Sequence, residues 1–193
     1  MNNHLKKIAL ALAIALVLSA CGSKWNVKVD LKPEEAKALQ TKIQETKVAI
    51  RDFQGKLPDF PSDEIVVLAE SYAKLGNMKE AIGTYKKWID DGHKTKAMIN
   101  NIGRLYDRVG ETELAVKQYQ RLVDEYLDTS YLYDITWSYI KAAQATKGKQ
   151  ALDFRKKAEK YFNAWQLDQH TTDNQTQEAI KGLREKEAKK PTE

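Results

Sequence analysis

A stretch of the chain, SYAKLGNMKEAIGTYKKWI (Ser71–Ile89), returns as LYDRVGETELAVKQYQRLV (Leu105–Val123). Tyr72 aligns with Tyr106, Gly76 with Gly110, Ala81 with Ala115 and Tyr85 with Tyr119, each 34 residues on and without a gap. Within each copy the apolar residues are spaced for helices. Leu68 and Tyr72 lie four apart, as do Ala81 and Tyr85, so each couple shares one helix face. Gly76 and Gly110 suit helix ends, where a left-handed residue closes the last turn. Each copy therefore predicts two antiparallel helices. Small Ala69 and Ala81 let the two approach closely, and the aromatics fill the seam with the next pair. One pair cannot cover both of its apolar flanks, so the pairs must stack. The predicted repeat core is Leu68, Tyr72, Ala81 and Tyr85 in the first unit. In the second it is Ile102, Tyr106, Ala115 and Tyr119. Helical spacing assigns these tyrosines to packing rather than to a ligand.

This pattern resembles the tetratricopeptide repeat, a 34-residue helix-turn-helix unit. The resemblance covers residues 62–168. It implies an all-α fold: an α-α solenoid of about three helix pairs with N- and C-terminal capping helices. A third, altered unit follows. SYLYDITWSYIKAAQA (Ser130–Ala145) reads as its first helix and LDFRKKAEKYFNAWQLD (Leu152–Asp168) as its second, with Ala158, Phe162 and Trp165 in the repeat's places. The residues around TKGKQ lengthen either the helices or the loop. A strict period puts Thr136 and Trp137 inside this pair. A shift by one puts Ile135, Thr136 and Tyr139 there, and is preferred because Leu132, Ile135 and Tyr139 then share a face.

Stacked units of this family present a concave groove lined by their first helices. The resemblance places Val66, Glu70, Ala73 and Lys74 on it in the first unit, and Asn100, Arg104, Asp107 and Arg108 in the second. The third contributes Tyr133, Trp137, Ile140 and Lys141. Trp137 and Arg104 are the expected hot spots of protein binding, since Trp and Arg dominate such contacts. Relatives that clamp a C-terminal carboxylate carry Lys and Asn where Val66 and Glu70 stand here, which argues against that mode.

Helices flank the repeats. Pro33 suits a first helical position with Glu34 and Glu35 behind it, and that helix is expected to run to about Phe53. Its apolar residues Ala36, Leu39, Ile43, Ile50, Phe53 and Leu57 follow a loose heptad that Thr46 breaks. It is expected to pack over the first repeat, with a short coiled coil as the alternative. At the far end, TTDNQTQEAIKGLREKEAKK reads as a capping helix with Ala179, Ile180 and Leu183 as its few apolar residues.

The amino terminus is different in kind. MNNHLKK carries two lysines and no acid, and an apolar run from Ile8 to Ala20 follows. That run is short for a membrane span, which takes roughly 20 residues. It suits a secretory signal. The one cysteine of the chain, Cys21, comes next, with no second thiol to pair with. Leu18-Ser19-Ala20-Cys21 resembles the lipobox of bacterial lipoproteins. The resemblance implies lipid on the Cys21 sulfur, cleavage before it and acylation of the new terminus. The expected organisation is a signal peptide over 1–20, a lipid-anchored tether over 21–32 and the helical domain over 33–190. The tether reads as solvated; the alternatives are that Lys24, Lys28 and Lys32 lie near anionic headgroups with Trp25 at the interface, or that WNVKV forms a short strand. Gly22, in place of an inner-membrane retention aspartate, leans toward the outer membrane, facing the periplasm.

Cleavage removes two lysines and leaves a charge of +3 from the +5 of the whole chain. No basic stripe with interleaved aromatics appears, so no nucleic-acid partner is expected. After processing only His93 and His170 remain, isolated and expected in solvent-facing turns, and no metal or cofactor is inferred. Asp90-Asp91 and Asp124-Glu125 sit at predicted helix ends and read as solvated surface rather than acid-base pairs. No catalytic set and no small-molecule substrate are inferred. The expected role is a membrane-anchored, protein-binding scaffold or assembly factor of the bacterial cell envelope. The alternative is a glycan-binding envelope protein, with Tyr133 and Trp137 stacking on sugar rings, or an enzyme with an unrecognised site.

Overall fold

A computed structural model describes residues 25–53 and 61–188, so the signal, Cys21 and Leu57 lie outside the described residues. Among the described residues the chain forms eight α-helices: α1 (Pro33–Phe53), α2 (Ser62–Lys74), α3 (Met78–Asp90), α4 (Lys96–Arg108), α5 (Thr112–Tyr126), α6 (Tyr131–Ala145), α7 (Gly148–Gln169) and α8 (Asn174–Ala188). Each packs on its neighbour in sequence, and α8 also reaches back to α6. This is a solenoid of three pairs, α2–α3, α4–α5 and α6–α7, between two flanking helices.

The turns inside the first two pairs follow the glycines. Gly76 takes φ +82° and Gly110 φ +74°, the left-handed region that lets the chain reverse after one helix. Thr95 starts α4, its hydroxyl oxygen accepting the Met98 N–H at 3.2 Å. Asp173 does the same for α8, accepting the Thr176 N–H at 2.9 Å.

The core is one continuous cluster along the stack. Leu68, Ala81, Tyr85, Ile102, Tyr106, Ala115 and Tyr119 are all buried in it. Tyr72 is half-buried against the core, with the Lys47 ammonium 5.5 Å from its ring centroid. In the third pair Ile135, Thr136 and Tyr139 are buried and Trp137 is half-buried and packed at the core's edge, the pattern of the shifted register. Ile140, expected on the groove, is fully buried instead. The residues around TKGKQ lengthen the helix rather than the loop. Two residues separate α6 from α7, and α7 extends over 22 residues.

The flanking helices also depart in detail from expectation. Thr46 lies buried between Ile43 and Ile50 in α1. Its hydroxyl donates to the Lys42 carbonyl at 2.7 Å, so it joins the apolar seam it was expected to break. In α8, Ile180 and Leu183 are buried. A charged clamp holds this helix to α7. Arg155, itself nearly buried, binds Glu159 within α7, and its Nε lies 3.0 Å from Glu187 of α8. Arg184 of α8 reaches back to Glu159 at 2.7 Å. The tether is only partly solvated: Lys28–Asp30 are exposed, whereas Trp25 and Val27 are half-buried against the first two pairs. Asn26 and Asn77 form an isolated antiparallel bridge.

Close approach within the second pair depends on Gly103. A Cβ there would lie 2.7 Å from a ring carbon of Tyr119, and that ring is 1% exposed with nowhere to move. Alanine is the better helix former by about 1 kcal/mol, but overpacking of a filled core costs about 1–3 kcal/mol. Gly103→Ala is therefore expected to lower the thermal midpoint by several degrees, as read by circular dichroism; an unchanged or raised midpoint would show that the ring is not pinned.

Candidate functional site

The first helices of the pairs, α2, α4 and α6, bring two clusters together along the stack. Between α2 and α4 lies an open hollow of about 280 Å³, with Ala73 and Tyr85 at its floor and Glu70, Asn101, Arg104 and Arg108 around it. That volume sits just below the range of enclosed small-molecule pockets. It suits one or two side chains of a longer ligand. Arg104 and Arg108 are four apart on α4 and project on one exposed face. Neither guanidinium has a hydrogen bond or ion pair among the described residues. Glu70 is 3.8 Å from Lys74, an exposed couple that contributes almost nothing to stability but offsets the acid's charge. The hollow is thus positive on balance, with two arginines free to bind.

Tyr85 links the pairs beneath this hollow. It is 1% exposed, and its hydroxyl accepts a hydrogen bond from Asn101 Nδ2 at 3.0 Å. Burial raises its pKa, so the neutral phenol is the resident form. Asn101 was not singled out from sequence. Its neighbour Asn100 was, and the structure half-buries Asn100 away from the hollow's lining. The signal for Asn101 was its place one turn from Leu105, facing the tyrosine of the preceding pair.

The second cluster lies between α4 and α6. Asp107 Oδ2 accepts the Tyr119 hydroxyl at 3.2 Å and the Ser138 hydroxyl at 2.9 Å. Burial pushes the Asp107 carboxyl above the ordinary carboxylate range, against the opposing pull of Ser138, Lys141 and Tyr119. Asp134 is raised as well, first by burial and then by the charge of Asp107, with Arg104 and Lys141 opposing. Among the described residues these two are the carboxyls that burial leaves raised. Asp90, Asp91, Asp124 and Glu125 are exposed, and the Glu125 carboxyl is held low by Lys94 and Arg121. Asp107 therefore serves the junction between pairs as much as the groove.

The aromatic end of the expected groove is partly occupied by the chain itself. The Tyr133 hydroxyl donates to Asp173 at 3.0 Å, and its ring lies 4.9 Å from Trp165, centroid to centroid. Trp137 meets Tyr133 edge-on, at 67°. The two rings form no flat platform of the kind a sugar stacks on. Val66 is half-buried against the core and does not reach the hollow. Of the expected groove residues the structure thus joins Glu70, Ala73, Lys74, Arg104 and Arg108 in one hollow, and sends Asp107 to the next junction. His93 is not simply solvated: its ring lies 5.4 Å from that of Trp88. His170 is exposed in a left-handed turn.

The family model of the tetratricopeptide repeat matches residues 65–95. That span is the first pair, from the second turn of α2 to the cap of α4. Comparison with curated proteins and with solved structures finds no match. The chain is an all-α, tetratricopeptide-like solenoid, and such helical stacks typically act as non-enzymatic modules of protein–protein interaction. Among the described residues no helix is long and apolar enough to cross a membrane, and no cluster of metal-ligating side chains occurs.

The two raised carboxyls set a pH dependence with a defined sign. A carboxyl whose folded pKa is raised costs stability once ionised, and the cost vanishes as pH falls through that pKa. Asp134→Asn is expected to raise the melting temperature at pH 7 by a few degrees, at about 2–4 °C per kcal/mol for this size. The advantage over the parent should shrink as pH falls and vanish only below the ordinary aspartate pKa of about 3.9, where the group is neutral in both the folded and the unfolded chain. A gap independent of pH would contradict the assignment.

Proposed function

We propose that this protein is a lipoprotein scaffold of the bacterial envelope, held at Cys21 to the outer membrane and facing the periplasm. Its concave face grips an acidic segment of a partner protein. The observation that carries the reading is the hollow between α2 and α4, where Arg104 and Arg108 stand exposed, with no ion pair among the described residues, over a floor closed by Tyr85. Arginine is suited to bidentate capture of carboxylates, and a shallow hollow in a helical stack takes a side chain of an extended or helical peptide. The repeat match over the first pair supports a protein partner. The Leu-Ser-Ala-Cys signature at 18–21, behind a short apolar run with a basic head, supports the anchor. Acylation explains why a chain otherwise free of cysteine carries one there, since multiple acyl chains give durable membrane attachment.

Two measurements test the two halves separately. Cys21→Ser is expected to move the protein from the membrane pellet to the soluble fraction in detergent-free fractionation; a variant that still pellets contradicts the anchor. Crosslinking in native membranes, followed by pull-down, is expected to recover a partner with the parent protein. The Arg104→Glu/Arg108→Glu variant should lose it by tenfold or more with helical content unchanged, given about 1.5–3 kcal/mol for a charge-assisted hydrogen bond. Equal recovery by both proteins would remove the groove from the account.

A further inference from the structure

The chain leaves the proposed anchor and is caught almost at once. The Val27 N–H donates to the Gly76 carbonyl at 2.9 Å, and the Met78 N–H donates to the Trp25 carbonyl at 2.9 Å. These bonds flank the Asn26–Asn77 bridge and fix the segment across the turn between α2 and α3. The Trp25 ring meets Tyr106 of the next pair edge-on, with centroids 6.1 Å apart. The fit is close: a Cβ on Gly76 would fall 2.0 Å from the Val27 carbonyl oxygen. Trp25–Val27 is therefore a strap over the first pair's turn that extends onto the second pair.

All three intra-pair turns lie at this end of the solenoid. The turn between α4 and α5, Gly110–Glu113, shares a hollow with Ala142, Ala145 and Thr146 at the end of α6. The turn between α6 and α7 shares another with Leu183 and Lys186 near the end of α8. The opposite end carries the turns between pairs, among them Leu127, which is 84% exposed. The α6 helix separates the two ends. Its 15 residues span about 22 Å.

The geometry points to the turn end as the membrane-facing surface of this protein, with a lipid bilayer as the partner it meets. This rests on the lipid-anchor reading above. A free tether over 21–32 would reach about 40 Å and let the solenoid swing, whereas the four residues from Cys21 to Trp25 reach at most about 14 Å. The strap thus presents the intra-pair turns, with exposed Lys79, Lys147 and Lys149, to the headgroups. The inter-pair turns point away from the bilayer.

The test uses the full acylated chain in vesicles doped with a paramagnetic headgroup lipid. Because Cys21 is the one cysteine and acylation consumes its thiol, an introduced cysteine takes a probe alone. A probe at Lys149→Cys is expected to show severalfold greater relaxation than one at Leu127→Cys. Adding Trp25→Ala and Val27→Pro, which removes the N–H that Gly76 accepts, is expected to bring the two probes close to equal with the helical content kept. Equal probes on the acylated parent, or a closer Leu127 probe, overturn the orientation while leaving the anchor intact. A mass spectrum showing Cys21 unmodified overturns the anchor, and this orientation with it. Fast exchange of the Val27 amide in the lipid-free chain would overturn the strap independently of either.

Discussion

A tyrosine ring, packed on a glycine in one helix and tied by its hydroxyl to the polar junction with the next pair, joins the solenoid's second unit to its third. Tyr119 fills the space left by Gly103 and reaches through its hydroxyl to Asp107, which Ser138 of α6 also engages. Tyr85 holds the equivalent place in the first unit and meets Asn101 of α4. Each ring adds apolar area to the core, worth about 1.5–3 kcal/mol on full burial. Each also carries a polar tip that must find a partner, because an unmatched buried hydroxyl is costly. The partner is supplied by the wall between pairs. This arrangement sets the angle and spacing of the stack, and the concave face follows from it.

Charge is distributed according to that geometry. Residues at the junction between the second and third pairs, such as Asp107 and Asp134, are partly desolvated and resist ionisation. Residues one step round the same helices, such as Arg104 and Arg108, remain exposed and keep their charge for a partner. At the carboxyl-terminal end burial pushes the Glu159 carboxyl up, but hydrogen bonds from Arg184 and Arg155 outweigh this and hold it low. The same helical stack thus carries raised acids at one junction and a lowered acid at the clamp on α8. Acidification relieves the first and weakens the second.

Most of the fold was legible in the sequence because the repeat constrains it twice over, by helical spacing within a unit and by a fixed period between units. Helix α1 begins at Pro33, where the sequence placed it from the proline and the two glutamates behind it. The register of the third unit followed from requiring Leu132, Ile135 and Tyr139 to share a face. The groove was less legible. Ile140 and Val66 occupy groove places in the repeat, yet Ile140 is buried fully and Val66 partly, because apolar side chains at the rim turn inward wherever a neighbour offers cover. Tyr133 is taken up by Asp173 and Trp165. No local pattern announces that pairing, since it joins residues 40 apart. Docking of Trp25–Val27 was equally hidden, for it uses backbone groups whose partners are set by the turn at Gly76 rather than by side-chain identity.

The stack depends on the tyrosines between pairs. Chain labelled at tyrosine rings and at glycine, read by nuclear Overhauser effects, tests them directly. The Tyr119 ring is expected to show strong contacts to the Gly103 α-protons and to Tyr131, whose ring lies 6.3 Å away and nearly parallel. Its flipping should be slow, as befits a ring 1% exposed. A sharp, fast-flipping Tyr119 ring in contact with water and without the Gly103 cross-peak would show that the pairs do not stack in this way.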